Sequence, residues 1–268
     1  MNSSKDKIAK RFIRLLETME KLRGPDGCPW DKAQTPPDLN AHLLEETYEV
    51  IEAVDSKDPE RLKEELGDLL LQVVFHCHMA TEASQFNMGD VMNTLVEKLT
   101  RRHPHVFEGL KVEGVKEVLS NWEKIKSEEK KEKGDRSIIS GIPTHFPALL
   151  KAYRLGEKAS RVGFDWSNLK EVLAKTEEEL KELEAAIETK DKTKTFEEFG
   201  DLLFSFAQTA RFLKMNPEEA LRHACNKFIR RFHYVEEQLQ REKKEWSKTN
   251  SEELDRLWNE AKKSTASV

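Results

Sequence analysis

An all-α fold of two tandem helical bundles is what this chain predicts, on three observations. Hydrophobic residues make up 37% of its 268 residues and charged residues 35%, with only 11 Gly and 9 Pro. That composition suits long amphipathic helices better than sheets or disordered tracts. Apolar residues recur at helical spacing, and alternating strand-like patterns are scarce. An acidic segment also recurs 133 positions downstream, as expected of a duplicated unit. A chain of this length can hold one large domain or two ordinary ones, and the repeat selects two.

The elements follow in order. The opening stretch, MNSSKDKIAKRFIRLLETMEKLRG, is broken by charges every few residues and lacks the apolar run of a signal peptide. Leu43, Thr47, Val50, Ile51 and Val54 mark one apolar helical stripe, and Leu62, Leu66, Leu69, Leu70 and Val73 a second. Asp58-Pro59-Glu60 and Asn216-Pro217-Glu218 each set a capping side chain before a proline at the first helical position. His103-Pro104-His105 reads as a structural turn, because Phe232, His233 and Tyr234 replace it in the second copy. Gly134, Gly141, Pro143 and Pro147 interrupt a charged stretch. These breaks give an N-terminal domain over 1–130, a linker over 131–147 whose apolar SIISGIP segment packs on a domain, and a C-terminal domain over 148–268.

The net charge of −5, from 45 basic and 50 acidic residues, provides no field that gathers a nucleic-acid polymer, and none is expected as a partner. The most apolar stretch, Leu69 to Phe75, is too short to span a bilayer. Cys28, Cys77 and Cys225 are far apart and fit neither a disulfide framework nor a zinc site. A reducing cytoplasm is the expected compartment.

The repeat carries the chemistry. LLEETYEVIEAV with EELGDLLLQ matches TEEELKELEAAI with EEFGDLLFS. Glu45, Glu46, Glu49, Glu65 and Asp68 thereby pair with Glu178, Glu179, Glu182, Glu198 and Asp201. Glu46 and Glu49, like Glu65 and Asp68, are three apart, so each pair projects from one side of its helix. Both pairs lie beside the apolar stripe, where helix packing brings them together. Four like charges there repel and resist desolvation unless a cation sits between them. Magnesium, which takes oxygen ligands and is held by a few carboxylates together with substrate phosphates, is the natural one, with manganese as a substitute. Glu52 faces Ala185 in the second copy and is read as solvated decoration. A di-iron bundle is excluded, since it needs Glu-x-x-His motifs that the sequence lacks.

Basic and aromatic residues repeat too. Lys98, Arg101 and Arg102 align with Lys227, Arg230 and Arg231, and Trp122 and Lys126 with Trp258 and Lys262. The basic helices offer cations to a phosphate chain. Adjacent helical residues point about 100° apart, so one arginine of each pair is expected to do so. Trp and Lys four apart give an aromatic surface for a base with an ammonium for phosphate on one helical face.

The pattern Glu45-Glu46-x-x-Glu49 with Glu65-x-x-Asp68, repeated as Glu178-Glu179-x-x-Glu182 with Glu198-x-x-Asp201, resembles the MazG family of nucleoside triphosphate pyrophosphohydrolases. The resemblance extends through RGPDGCPWDKAQT, LTRRHPHVF, SGIP and VGFDW and covers nearly the whole chain. It implies tandem bundles of the all-α NTP pyrophosphohydrolase type, a homodimer, magnesium dependence, and a broad range of ribo- and deoxynucleoside triphosphates as substrates. On that basis water attacks the α-phosphorus, and Glu45 and Glu178 are the candidates for positioning it. A non-catalytic helical scaffold is the competing reading.

Overall fold

The computed structural model describes residues 2–132 and 137–264, which form twelve α-helices and no strand. The chain divides into two compact units, Met1–Glu129 and Lys130–Val268. Gly134, from the linker reading, lies outside the described residues.

The first unit runs α1 (Asn2–Arg23), α2 (Pro29–Ala33), α3 (Leu39–Ser56), α4 (Pro59–Glu82), α5 (Met88–Arg102), α6 (Pro104–Phe107) and α7 (Val115–Glu132). The second runs α8 (Ala148–Ser160), α9 (Leu169–Thr189), α10 (Lys192–Phe212), α11 (Pro217–Arg241) and α12 (Ser251–Ser264).

Each unit is organised around an antiparallel hairpin, α3–α4 or α9–α10. Lys57 and Lys190 end α3 and α9 in the left-handed conformation, each at φ 58°. Asp58 and Asp191 then cap the next helix through their side chains. So short a connection forces adjacent antiparallel packing. Ala53 and Ala186, at matching positions near the turns, are fully buried, as a small side chain at a close helix approach would be. The expected helix starts are in place, for the Asp58 carboxylate accepts from the amides of Glu60 and Arg61 and the Asn216 carbonyl from those of Glu218 and Glu219.

The units diverge after the hairpins. Pro104 lacks an amide proton and cannot continue a helix, so α5 stops at Arg102. Its counterpart α11 continues to Arg241. That extension carries Val235 and Leu239, which form a core cluster with Leu257 of α12. The first unit's core instead joins Met19 of α1, Leu39 of α3, Val74, Phe75, Cys77 and Met79 of α4, and Met88 of α5. Within the 131–147 segment, the Ser140 carbonyl accepts from Lys158 of α8 at 2.6 Å.

Both apolar stripes are helical, but burial departs from the expected pattern. Val54, Leu66, Leu70 and Val73 are exposed, and so are Phe196, Phe199, Leu203 and Phe206 of α10. Each hairpin carries more apolar surface than its own unit covers.

Candidate metal centre and phosphate-binding helices

The hairpins bring the acidic residues together. Carboxylate oxygens of Glu46 and Glu49 on α3 and of Glu65 on α4 all lie within 4.8 Å of one another, as do those of Glu179, Glu182 and Glu198 in the second unit. The i, i+3 spacing places the first two on one helix, and the antiparallel partner delivers the third. Asp68 and Asp201 are outside these tight triplets. Asp68 still acts on the first one, because its charge, after burial, is the strongest influence raising the Glu46 pKa, ahead of Glu49, Glu45 and Glu65. Crowded carboxylates hold a proton more tightly, and a multivalent cation would relieve that repulsion. An all-oxygen donor set with this spacing fits a hard divalent ion.

Two cations at the triplets escaped the sequence reading. Lys175 places its ammonium 2.7 Å from Glu178 and 2.8 Å from Glu179, and these bonds raise its pKa. Arg61 reaches Glu52 at 2.7 Å and Glu65 at 3.5 Å. Glu52, read as decoration, thus anchors Arg61. Each cation lies four residues before a triplet carboxylate on the same helix, a spacing visible in the sequence but common on any charged helix. Neither repeats in type, because His42 stands at the position of Lys175 and Lys194 at that of Arg61. His42 is 3.7 Å from Glu45.

The two arginines of each pair differ in exposure. Arg101 and Arg230 are exposed, whereas Arg102 and Arg231 are half-buried. In the first unit Glu129 of α7 accepts from Arg101 Nε at 2.8 Å and from Arg102 Nε at 3.2 Å. Only 14% of the Glu129 side chain is exposed. Its pKa is pushed down to about 2, chiefly by the Arg102 hydrogen bonds. Trp122 joins this cluster, with the Arg102 guanidinium 5.3 Å and the Lys126 ammonium 4.7 Å from its ring centroid.

In the second unit Trp258 packs against the Val235, Leu239 and Leu257 cluster and meets the Phe228 ring at 5.1 Å. Lys262 donates to Asn259 at 3.3 Å. On their helices Lys98 is half-buried and Lys227 exposed. The structure thus gathers Arg101, Arg102, Trp122 and Lys126, and packs the half-buried Trp258 against an apolar cluster.

Comparison with known proteins places this geometry in a family. The MazG nucleotide pyrophosphohydrolase domain matches twice, over residues 34–107 and 167–235. The chain is 48% identical over 251 residues to the nucleoside triphosphate pyrophosphohydrolase/pyrophosphatase MazG of Thermotoga maritima, covering 94% of this chain and 95% of that one. To the nucleoside triphosphate pyrophosphohydrolase of Escherichia coli K12 it is 42% identical over 253 residues, covering 93% and 96%. A solved mazG-related protein from Thermotoga maritima matches 42% of this chain and 97% of its own at 31% identity, with a TM-score of 0.37. On the double domain match and these nearly full-length relatives, the chain belongs to the MazG family.

Proposed function

We propose that this protein hydrolyses nucleoside triphosphates, ribo- and deoxyribo- alike and over a broad range of bases, to nucleoside monophosphate and pyrophosphate in a magnesium-dependent reaction. The observation that carries the reading is the carboxylate triplet present once in each unit. Nearly full-length relatives named for this activity support it.

Glu46, Glu49, Glu65 and Asp68, with Glu179, Glu182, Glu198 and Asp201, would hold magnesium, for which manganese substitutes. When bound, the ion would neutralise phosphate charge and lower the pKa of water. Glu45 and Glu178 border the triplets on the same helices and would each accept a hydrogen bond from the water that attacks the α-phosphorus. In the second unit Lys175 holds Glu178 in place, which fixes the direction of that acceptor. The departing pyrophosphate requires cations beyond the metal. Lys98, Arg101, Arg102 and Lys126, or Lys227, Arg230, Arg231 and Lys262, would supply them.

The protein is proposed to act as a homodimer in the cytoplasm. Leu44, Tyr48 and Leu66 in the first hairpin, and Phe196, Phe199 and Phe206 in the second, leave apolar faces that a second copy would cover. Phe196 is 81% exposed. The free thiols Cys28, Cys77 and Cys225 suit a reducing compartment. No described helix is long and apolar enough to cross a membrane.

The test is to incubate the protein with magnesium and each nucleoside triphosphate, identify the products, and repeat with Glu49→Gln and Glu182→Gln. Monophosphate and pyrophosphate are expected. Orthophosphate as the first product would overturn the reading, and unchanged turnover and metal binding in both variants would favour a scaffold.

A further inference from the structure

The α3–α4 hairpin buries a polar group that the fold leaves without a partner. Gln72 of α4 is only 6% exposed, and among the described residues its Oε1 finds no hydrogen-bond donor. A carbonyl oxygen taken out of water without a replacement donor is destabilising, and protein interiors hold few of them. Such an acceptor calls for a donor from outside the chain, either a lone bound water or a water carried by an ion.

Helical geometry places this acceptor beside the acidic triplet. Gln72 comes seven residues after Glu65 and four after Asp68, so it lies roughly 20° from the first and roughly 40° from the second around the α4 axis. It therefore shares the face on which α4 brings Glu65 to Glu46 and Glu49 of α3. At about 1.5 Å rise per residue it stands roughly 6 Å beyond Asp68 along that face. On α3, which runs the opposite way, the same direction leads from Glu49 through Glu46 toward Leu39. Leu39 and Phe75 belong to one core cluster. The Gln72 layer thus has apolar packing on one side and Glu46 with Asp68 on the other.

The chemistry of the donor set favours a water carried by an ion. Magnesium dehydrates reluctantly and binds carboxylates with several waters still attached. The ion polarises the O–H bonds of those waters and makes them strong donors. An amide oxygen has two lone pairs to accept from them, and it adds no charge to carboxylates that already repel one another.

We propose that Gln72 is a positioning residue of the first metal centre, its Oε1 accepting a hydrogen bond from a water on the divalent cation that Glu46, Glu49 and Glu65 would hold. The inference rests on the metal reading of those carboxylates and deepens it with a neutral partner. It concerns one unit. At the offset of 133 the second unit has Ser205, which is equally buried, at 5% exposed, but turns its hydroxyl back on its own helix and donates to the Leu202 carbonyl at 2.9 Å. The two centres would share their carboxylates and differ in how they hold the waters of the ion.

The test uses the full chain carrying Glu182→Gln, which disables the second triplet, titrated calorimetrically with magnesium and with manganese in the absence of nucleotide. Adding Gln72→Met, which removes the acceptor at similar volume, should weaken the remaining site about tenfold. Urea unfolding of the same chain without metal should keep its midpoint or move it upward, because an unpaired buried acceptor is gone. A residue that merely packs would not move the two readings in opposite senses. Gln72→Glu, which keeps an oxygen at that place, should bind at least as tightly as the parent. Should Gln72→Met fail to fold, Gln72→Ser carries the same expectation for the metal. Unchanged affinity without the acceptor would overturn the proposal, and so would a Gln72→Glu chain that binds as weakly as Gln72→Met. A parent that binds no divalent cation loses the metal reading and this inference together. Binding that depends on Gln72, in a protein whose wild type yields no pyrophosphate from any triphosphate, removes the hydrolase reading and keeps this one.

Discussion

The first and second units place the same three carboxylates along the body of the same hairpin, but they surround them with different charges. In the first, Arg61 of α4 approaches Glu65 while most of its charge is taken by Glu52. In the second, Lys175 of α9 bridges Glu178 and Glu179 directly. The basic helices differ as well. Arg101 and Arg102 close on Glu129, whereas the aligned position in the second unit is Thr265, an uncharged residue. Duplication preserved the carboxylate spacing and let the surrounding electrostatics diverge. The first unit's arginines already close on a carboxylate, and the second unit's sequence has no acidic residue at that position.

The largest expected effect tests whether the triplets are equivalent. A chain carrying Glu49→Gln and Glu182→Gln together should lose about 100-fold or more of its magnesium-dependent turnover. The single variants, assayed by pyrophosphate release, then divide the activity between the units, and a near-complete loss in one of them alone would break the equivalence.

Next is the packing that only the second unit has. Leu257→Ala should destabilise that unit by about 2–5 kcal/mol and leave the first unchanged, measured as separate transitions in urea. Equal shifts in both would mean that the two cores are energetically joined.

Removing the Lys175 ammonium with Lys175→Met should tighten metal binding in the second unit by roughly tenfold, because a competing charge leaves the carboxylates. Arg61→Met should have the same direction and a smaller size, since Arg61 is 3.5 Å from its triplet carboxylate. Calorimetric titration without nucleotide measures both.

Acid should separate α7 from α12. Glu129 has its folded pKa lowered to about 2, so its contribution to stability is complete above the ordinary glutamate pKa of about 4.5 and is lost as pH falls toward 2. Glu253 of α12 is lowered to about 2 as well, but α12 is also held by Leu257 in an apolar cluster. Hydrogen exchange between pH 4.5 and pH 2 should therefore release α7 amides before those of α12.

The smallest effect is one the units share. Lys57→Gly and Lys190→Gly each replace a side chain at φ 58° and should stabilise their hairpins by about 1 kcal/mol, read from thermal unfolding.

Local chemistry made much of this legible in the sequence. Helix starts at Asp58 and Asn216 follow from side chains that cap the next amides, and the i, i+3 glutamates follow from helical geometry. The third carboxylate of each triplet was also predictable, because a short hairpin turn leaves little freedom in how its helices meet. Asp68 and Asp201 share the same spacing but are outside the tight triplets, since the meeting angle of the helices, which no spacing rule sets, determines how far each side chain reaches. Glu129 is 28 residues from Arg101, too far for any local pattern to pair them. The apolar contacts of the half-buried Trp258 were not legible, because they depend on the longer α11, which brings Phe228, Val235 and Leu239 beside it.

By itself the sequence determined the helical class, the duplication, the acidic constellation and the family, all of which depend on residue type and short-range periodicity. The tertiary structure alone decided which cation neutralises which carboxylate, which apolar faces stay uncovered, and how deeply the Gln72 amide is buried. Those outcomes depend on the angle and depth at which helices pack, quantities set by many distant side chains together.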